Sequence, residues 1–255
     1  MTTLPKVLES SPRLQLKNIL KPTFKDILIA LFSGIPSSII LYWSYSRRNF
    51  QITQVSQCSL LNTLAAKTFF SKIDNPNYLR YFRKNHIHLS QIFPLFPFIY
   101  RIYYILLHRL WKPATFAVII SFSIFSGYFF YRLLKCTRFI KKPLIPALIF
   151  TVFPIRSLYI KNTTNEYSCF TIVFSLIYIS QQTKSFSLIS LFSFLMVLTS
   201  DLGVFVVIGF ILSSIIQKRK KQFRYLVVGF ISGIIVLSLY HKRIEGNYFV
   251  FFHRL

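Results

Sequence analysis

The sequence predicts an all-α polytopic membrane protein, a bundle of seven or eight transmembrane helices with a large loop after the first. Three observations predict it. Apolar runs approaching twenty residues recur along the 255-residue chain, about the length that crosses a hydrocarbon core. The composition is 53% apolar and 18% aromatic with only seven glycines, too apolar for an ordinary soluble domain. The 31 lysines and arginines, against six acids, fall in short clusters between the apolar runs. That spacing fits loops facing the cytoplasm and anionic headgroups, and it argues against the continuous basic face of a nucleic-acid binder.

Residues 1–25 carry Lys6, Arg13, Lys17, Lys21 and Lys25 against Glu9 and hold no apolar run, which reads as a cytoplasmic basic tail. Residues 26–45 form the first span, a signal anchor in view of its long basic lead and missing small-residue cleavage site. Residues 46–110 follow as a lumenal loop. Within it the run at 91–110 carries Arg101, His108 and Arg109, and Pro94 and Pro97 hinder a clean helix start. It is therefore read as an interfacial segment. Apolar runs at 115–134, 143–160, 167–181, 185–200, 202–217 and 224–240 make a transmembrane bundle over 111–240, and 241–255 is a short tail.

Charge decides between seven spans and eight. A span at 91–110 would put Arg132, Lys135, Arg138, Lys141 and Lys142 on the lumenal side, against the positive-inside rule. Without it, this cluster and the one at Lys218, Arg219, Lys220, Lys221 and Arg224 are both cytoplasmic. Asp74, Glu166, Asp201 and the Asn162–Thr164 sequon then share the lumenal side. Glu9, Asp26 and Glu245 are left as headgroup or tail residues.

Few residues are equipped for chemistry. Cys58, Cys136 and Cys169 are far apart, and His86 and His88 lack a third ligand, so the spacing supports neither a zinc site nor a disulfide framework; no cofactor is expected, and a divalent metal is left open. No Gly-rich phosphate loop or nucleophile elbow is present. Acids at a membrane surface suit proton transfer. Asp74 equally suits the cap of a helix beginning near Pro76. Glu166 equally suits a solvated loop, and Asp201 suits a cap for the next span better than catalysis. Arg80, Arg83 and Lys84 suit contact with phosphate, whether of a substrate or of lipid headgroups.

The stretch Ile73–Pro97 and two later segments resemble the GPI mannosyltransferase 2 family, endoplasmic-reticulum enzymes with a GT-C type fold. That family carries Trp-Asp-Ala/Ser-x-Tyr-Phe in its first lumenal loop, then Asn-Gly-Tyr and Phe-Phe-Pro-Leu-Phe-Pro. Asp74, Tyr78, Asn85 and Phe93-Pro94-Leu95-Phe96-Pro97 stand in the same order here, with Ile73 in place of the Trp. Phe153–Arg156 through Glu166-Tyr167 is similar to the family's Pro-Ala-Ser…Tyr-Ser-Glu-Ser, and Thr199-Ser200-Asp201-Leu202-Gly203 to its Thr-Arg-Ser-Asn-Gly.

The resemblance implies transfer of a mannose, the second, from dolichyl-phosphate mannose to a GPI glycolipid in the lumen. It implies Asp74 as general base and Glu166 as the group that positions the acceptor or shares that role. Arg80, Arg83 and Lys84 would lie on the leaving phosphate, with Tyr78 and Asn85 beside the substrate. Phe93, Pro94, Phe96, Pro97, Asp201 and Gly203 would support the site. Partners would be the lipid-linked donor, the glycolipid acceptor and a stabilising membrane subunit. Three other readings fit the same apolar runs: a non-catalytic GPI transamidase membrane subunit, a small membrane transporter, and the enzyme that adds the first mannose.

Overall fold

A computed structural model describes residues 22–46, 93–108, 110–137, 140, 142–152, 166–182 and 184–245. The described residues are all helical, with no strand. In chain order the helices are α1 (Phe24–Ser46), α2 (Leu95–Leu106), α3 (Trp111–Thr137), α4 (Leu144–Val152), α5 (Glu166–Gln182), α6 (Phe186–Val197), α7 (Asp201–Ile216) and α8 (Lys220–Glu245). Among the described residues, two stretches, Phe116–Cys136 in α3 and Lys220–Lys242 in α8, are long and apolar enough to cross a membrane. The spans expected at 167–181, 185–200 and 202–217 are helices of 17, 12 and 16 residues, short of the twenty or so that a crossing needs. Of the run at 143–160, α4 is described and the remainder lies outside the described residues.

Helix neighbours follow a simple chain: α4 packs on α1 and α3, α1 on α3, α3 on α5, α5 on α6, α6 on α8, and α7 on α6 and α8. α1 and α3 are antiparallel, since Asp26 meets Arg132 while Ser33 donates to the carbonyl of Ser123. Cys169 and Val173, early in α5, share a core with Ala114, Val118 and Phe122 of the first half of α3. Ile177 of α5 instead packs with Ile189 and Leu226 at the other end. The bundle thus has a basic end, where α3 finishes, α5 turns into α6 at Lys184, and α7 turns into α8 through Lys218 and Arg219. The opposite end holds the starts of α3, α5 and α7 and the finish of α1.

Small residues set the closest helix approach. Gly229 and Gly233 lie one turn apart on α8 and face α6. A Cβ at Gly229 would collide with the carbonyl of Ser190 and lie 2.8 Å from Ser193 Cβ, and one at Gly233 would lie 2.7 Å from Val197 Cβ. Ser193 donates its hydroxyl to the Leu226 carbonyl across the gap, 3.0 Å away. This Gly-x-x-x-Gly spacing brings the two backbones close enough for a serine hydroxyl on one helix to reach a carbonyl on the other.

α2 differs from its expected form. The prolines do not block the helix, which starts between them with Pro94 as its N-cap. Pro97 lies in the first turn, where no intrahelical donor is lost. The ring of Phe96 meets that of Phe122 edge-on at 5.8 Å. From Phe96 to the end of α2, and from Trp111 to Phe122, the two paths are similar, about 15 Å and 17 Å at 1.5 Å per residue. α2 therefore runs antiparallel along the first half of α3. One face of the segment read as interfacial, comprising Leu95, Phe96, Pro97 and Tyr100, is built into the core, while Phe98, Ile102, Ile105 and Leu106 are exposed.

Gly229→Ala should lower stability by roughly 1–3 kcal/mol through overpacking against α6. Ser232→Ala, at an exposed position on the same helix, should stay within about 0.5 kcal/mol. Melting temperatures of the detergent-purified variants would compare the two, and equal values would contradict the close packing.

Candidate functional site

The site begins where two helix ends meet inside the bundle. α6 stops at Val197, and its last turn tightens as the N–H groups of Leu198 and Thr199 bond to the carbonyls of Leu195 and Met196. The Thr199 hydroxyl also donates to the Met196 carbonyl, 2.7 Å away. The Leu198 carbonyl accepts from the N–H of Leu95, at the start of α2, at 3.1 Å. An orphan acceptor of one helix end thereby satisfies an orphan donor of another. Pro94 and Pro97 carry no N–H, so the first turn of α2 presents fewer donors to an apolar surrounding. Phe93, Phe96, Leu198 and Thr199 are all buried.

α7 starts at once beyond the turn. Ser200 is extended and its side chain accepts from the Gly203 N–H at 3.3 Å, so Ser200 caps α7. The expectation that Asp201 supplies the cap is corrected. Asp201 is the first helical residue, exposed, with its charge at the favourable helix N-terminus. A Cβ at Gly203 would collide with the Met196 carbonyl and lie 2.6 Å from Thr199 Oγ1. Only a residue without a side chain lets α7 leave the turn this close to the end of α6.

Of the residues singled out in the sequence, the structure joins Phe93, Pro94, Phe96 and Pro97 to the turn holding Asp201 and Gly203. Glu166 opens α5, and its side chain lies outside the described residues. Asp74, Tyr78, Arg80, Arg83, Lys84 and Asn85 also lie outside them, as do Asn162–Thr164 and His86 and His88. Among the described residues no three His, Cys, Asp or Glu side chains converge to hold a metal. No family model, curated protein or solved structure matches this chain.

A second cluster, at the basic end, was missed by sequence reasoning. Asp26, read as a headgroup residue, is 0% exposed. Its Oδ2 accepts from the backbone N–H and the hydroxyl of Thr23, each at 2.6 Å, a capping-box arrangement at the start of α1. The same oxygen lies 3.2 Å from Arg132 Nη2, and Oδ1 lies 3.7 Å from Lys135 Nζ. Arg132 sits over the Tyr128 ring and Lys135 over the Tyr131 ring. The available signal was Thr23-x-x-Asp26 directly before an apolar run, together with cations one turn apart at the end of another.

Gly203→Ala should cost roughly 1–3 kcal/mol and Ser200→Ala about 1 kcal/mol. Asp201→Asn should cost only a few tenths, on the order of 0.3–1 kcal/mol, and less in high salt. Limited proteolysis of the three variants in detergent would rank them, and a loss for Asp201→Asn larger than for Gly203→Ala would contradict the turn geometry.

Proposed function

We propose that this chain is a membrane-embedded glycosyltransferase of GPI-anchor assembly in the endoplasmic reticulum, with a multi-pass topology and a cytoplasmic amino terminus. In this reading it moves a mannose, the second, from dolichyl-phosphate mannose to a GPI glycolipid in the lumen. The observation that carries the reading is the Leu95–Leu198 hydrogen bond, which seats Phe93–Pro97 against Thr199–Gly203. Two segments a hundred residues apart, each similar to a family motif, meet inside the bundle beside the middle of α3. The chain leaves the described structure at Ser46 and re-enters it at Phe93, and Asp74 lies in the sequence between these points.

The chemistry follows from the roles these residues would take. The acceptor hydroxyl oxygen bonds to the anomeric carbon of mannose while the bond from that carbon to the phosphate oxygen breaks on the opposite face, inverting the centre. The hydroxyl proton passes to the Asp74 carboxylate. Dolichyl phosphate leaves with the bonding electron pair, and Arg80, Arg83 and Lys84 offset its charge. Glu166 orients the acceptor, with Tyr78 and Asn85 beside the sugar.

In cells lacking the second GPI mannosyltransferase, the wild-type chain should restore growth and clear a glycolipid bearing one mannose. Asp74→Ala should accumulate in membranes to the same level yet lower transfer by about 10²–10⁴-fold, the range for loss of a general base. Full rescue by Asp74→Ala would remove the catalytic role and favour a non-catalytic subunit. On topology, single cysteines at 74 and 166 should label from the lumen and one at 138 from the cytosol. Lumenal labelling at 138 would overturn the orientation.

A further inference from the structure

We propose that Asp26, Arg132 and Lys135 form a charge clamp that seats α1 on the bundle, so that α1 is a strap whose docking depends on three side chains at the basic end of the bundle. The described part of α1 contributes one large buried apolar side chain, Ile29. Its other buried residues are Asp26, Ala30, Ser33 and Gly34. Ile27, Leu31, Phe32, Ile35 and Ile39 face outward. In lipid such a helix gains little from apolar burial, because the tails are as apolar as its partners, so close approach and polar contacts must hold it.

Both are present on the α3 side. A Cβ at Gly34 would lie 2.9 Å from Ile124 Cγ1, and the Ser33 hydroxyl reaches the Ser123 carbonyl. The clamp closes the end of this seam. Arg132 is buried, and its guanidinium needs an anion where water is excluded. Asp26 is the one carboxylate the structure places there, held in position by Thr23. Each partner thus makes the burial of the other tolerable. Removing one is costly, whereas removing all the charges together leaves an apolar contact of similar volume. That asymmetry separates a clamp from residues that merely sit close together.

The test reads docking directly and involves no activity. In the full-length chain in microsomal membranes, with Cys58, Cys136 and Cys169 changed to Ala, the pair Gly34→Cys and Ile124→Cys should form a disulfide under mild oxidation. A Cβ at residue 34 lies 2.9 Å from Ile124 Cγ1, so the two Cβ atoms are at most about 4.4 Å apart, within bridging range. Adding Asp26→Asn should lower the cross-linked fraction by roughly tenfold or more, given the penalty for a stranded buried cation. Combining Asp26→Leu with Arg132→Met and Lys135→Met should bring it back to within about twofold of the starting level. If Asp26→Asn does not accumulate, recovery of accumulation in the triple variant carries the same meaning. Unchanged cross-linking in Asp26→Asn, or a triple variant no better than Asp26→Asn, would overturn the proposal.

Discussion

Helix ends buried among apolar side chains must find partners for their free backbone groups within the protein, and the candidate site is arranged around that need. α2 begins, and α6 ends, beside the middle of α3 and away from its termini. Each would leave backbone groups unpaired there. The Leu95 N–H and the Leu198 carbonyl satisfy one another, Thr199 supplies a side-chain donor to Met196, and two prolines remove donors that nothing else could meet. The Phe-Pro-Leu-Phe-Pro sequence thus has a physical reason apart from any resemblance. It starts a helix in a place with few acceptors to spare.

The same turn fixes how α7 leaves. Because α6 is only 12 residues long, α8 runs past its end, and the approach through Gly229 and Gly233 covers α6 up to Val197. Beyond that level Leu237 of α8 joins the core that holds Phe93, Leu95 and Phe96. Small residues at Gly203, Gly229 and Gly233 therefore act together, two bringing α8 onto α6 and the third letting α7 fold back from its end. Three of the seven glycines in the chain are used in this way.

Periodicity and charge made the helices legible: every described helix from α3 onward overlaps an apolar run seen in the sequence, and α1 matches the first span within two residues at its start. Helix lengths were less legible, because a hydropathy run does not show where capping residues interrupt it. The runs at 185–200 and 202–217 match α6 and α7 within three residues at each end, but the tight turn at Leu198 ends α6 before its run does and the Ser200 cap sets the start of α7. At α2 the prolines were expected to hinder a clean helix start, whereas at a first turn they cost nothing. Asp26 was misread because proximity to a basic tail suggested solvent. Its partners lie more than a hundred residues away, and no local pattern carries that pairing.

The two clusters lie apart in the bundle, one at its basic end and one beside the middle of α3, and obey different electrostatics. At the basic end, charges enter the protein only where a carboxylate meets them, as at Arg132, while Lys218, Arg219, Lys220 and Lys221 remain exposed. In the other cluster, Asp201 is exposed and stabilised by a helix N-terminus, with no nearby burial to offset. Asp26 is buried and already engaged by Thr23, Arg132 and Lys135. The distribution therefore assigns a structural duty to Asp26, which ties α1 to α3, and leaves Asp201 at the surface, held by its helix start alone.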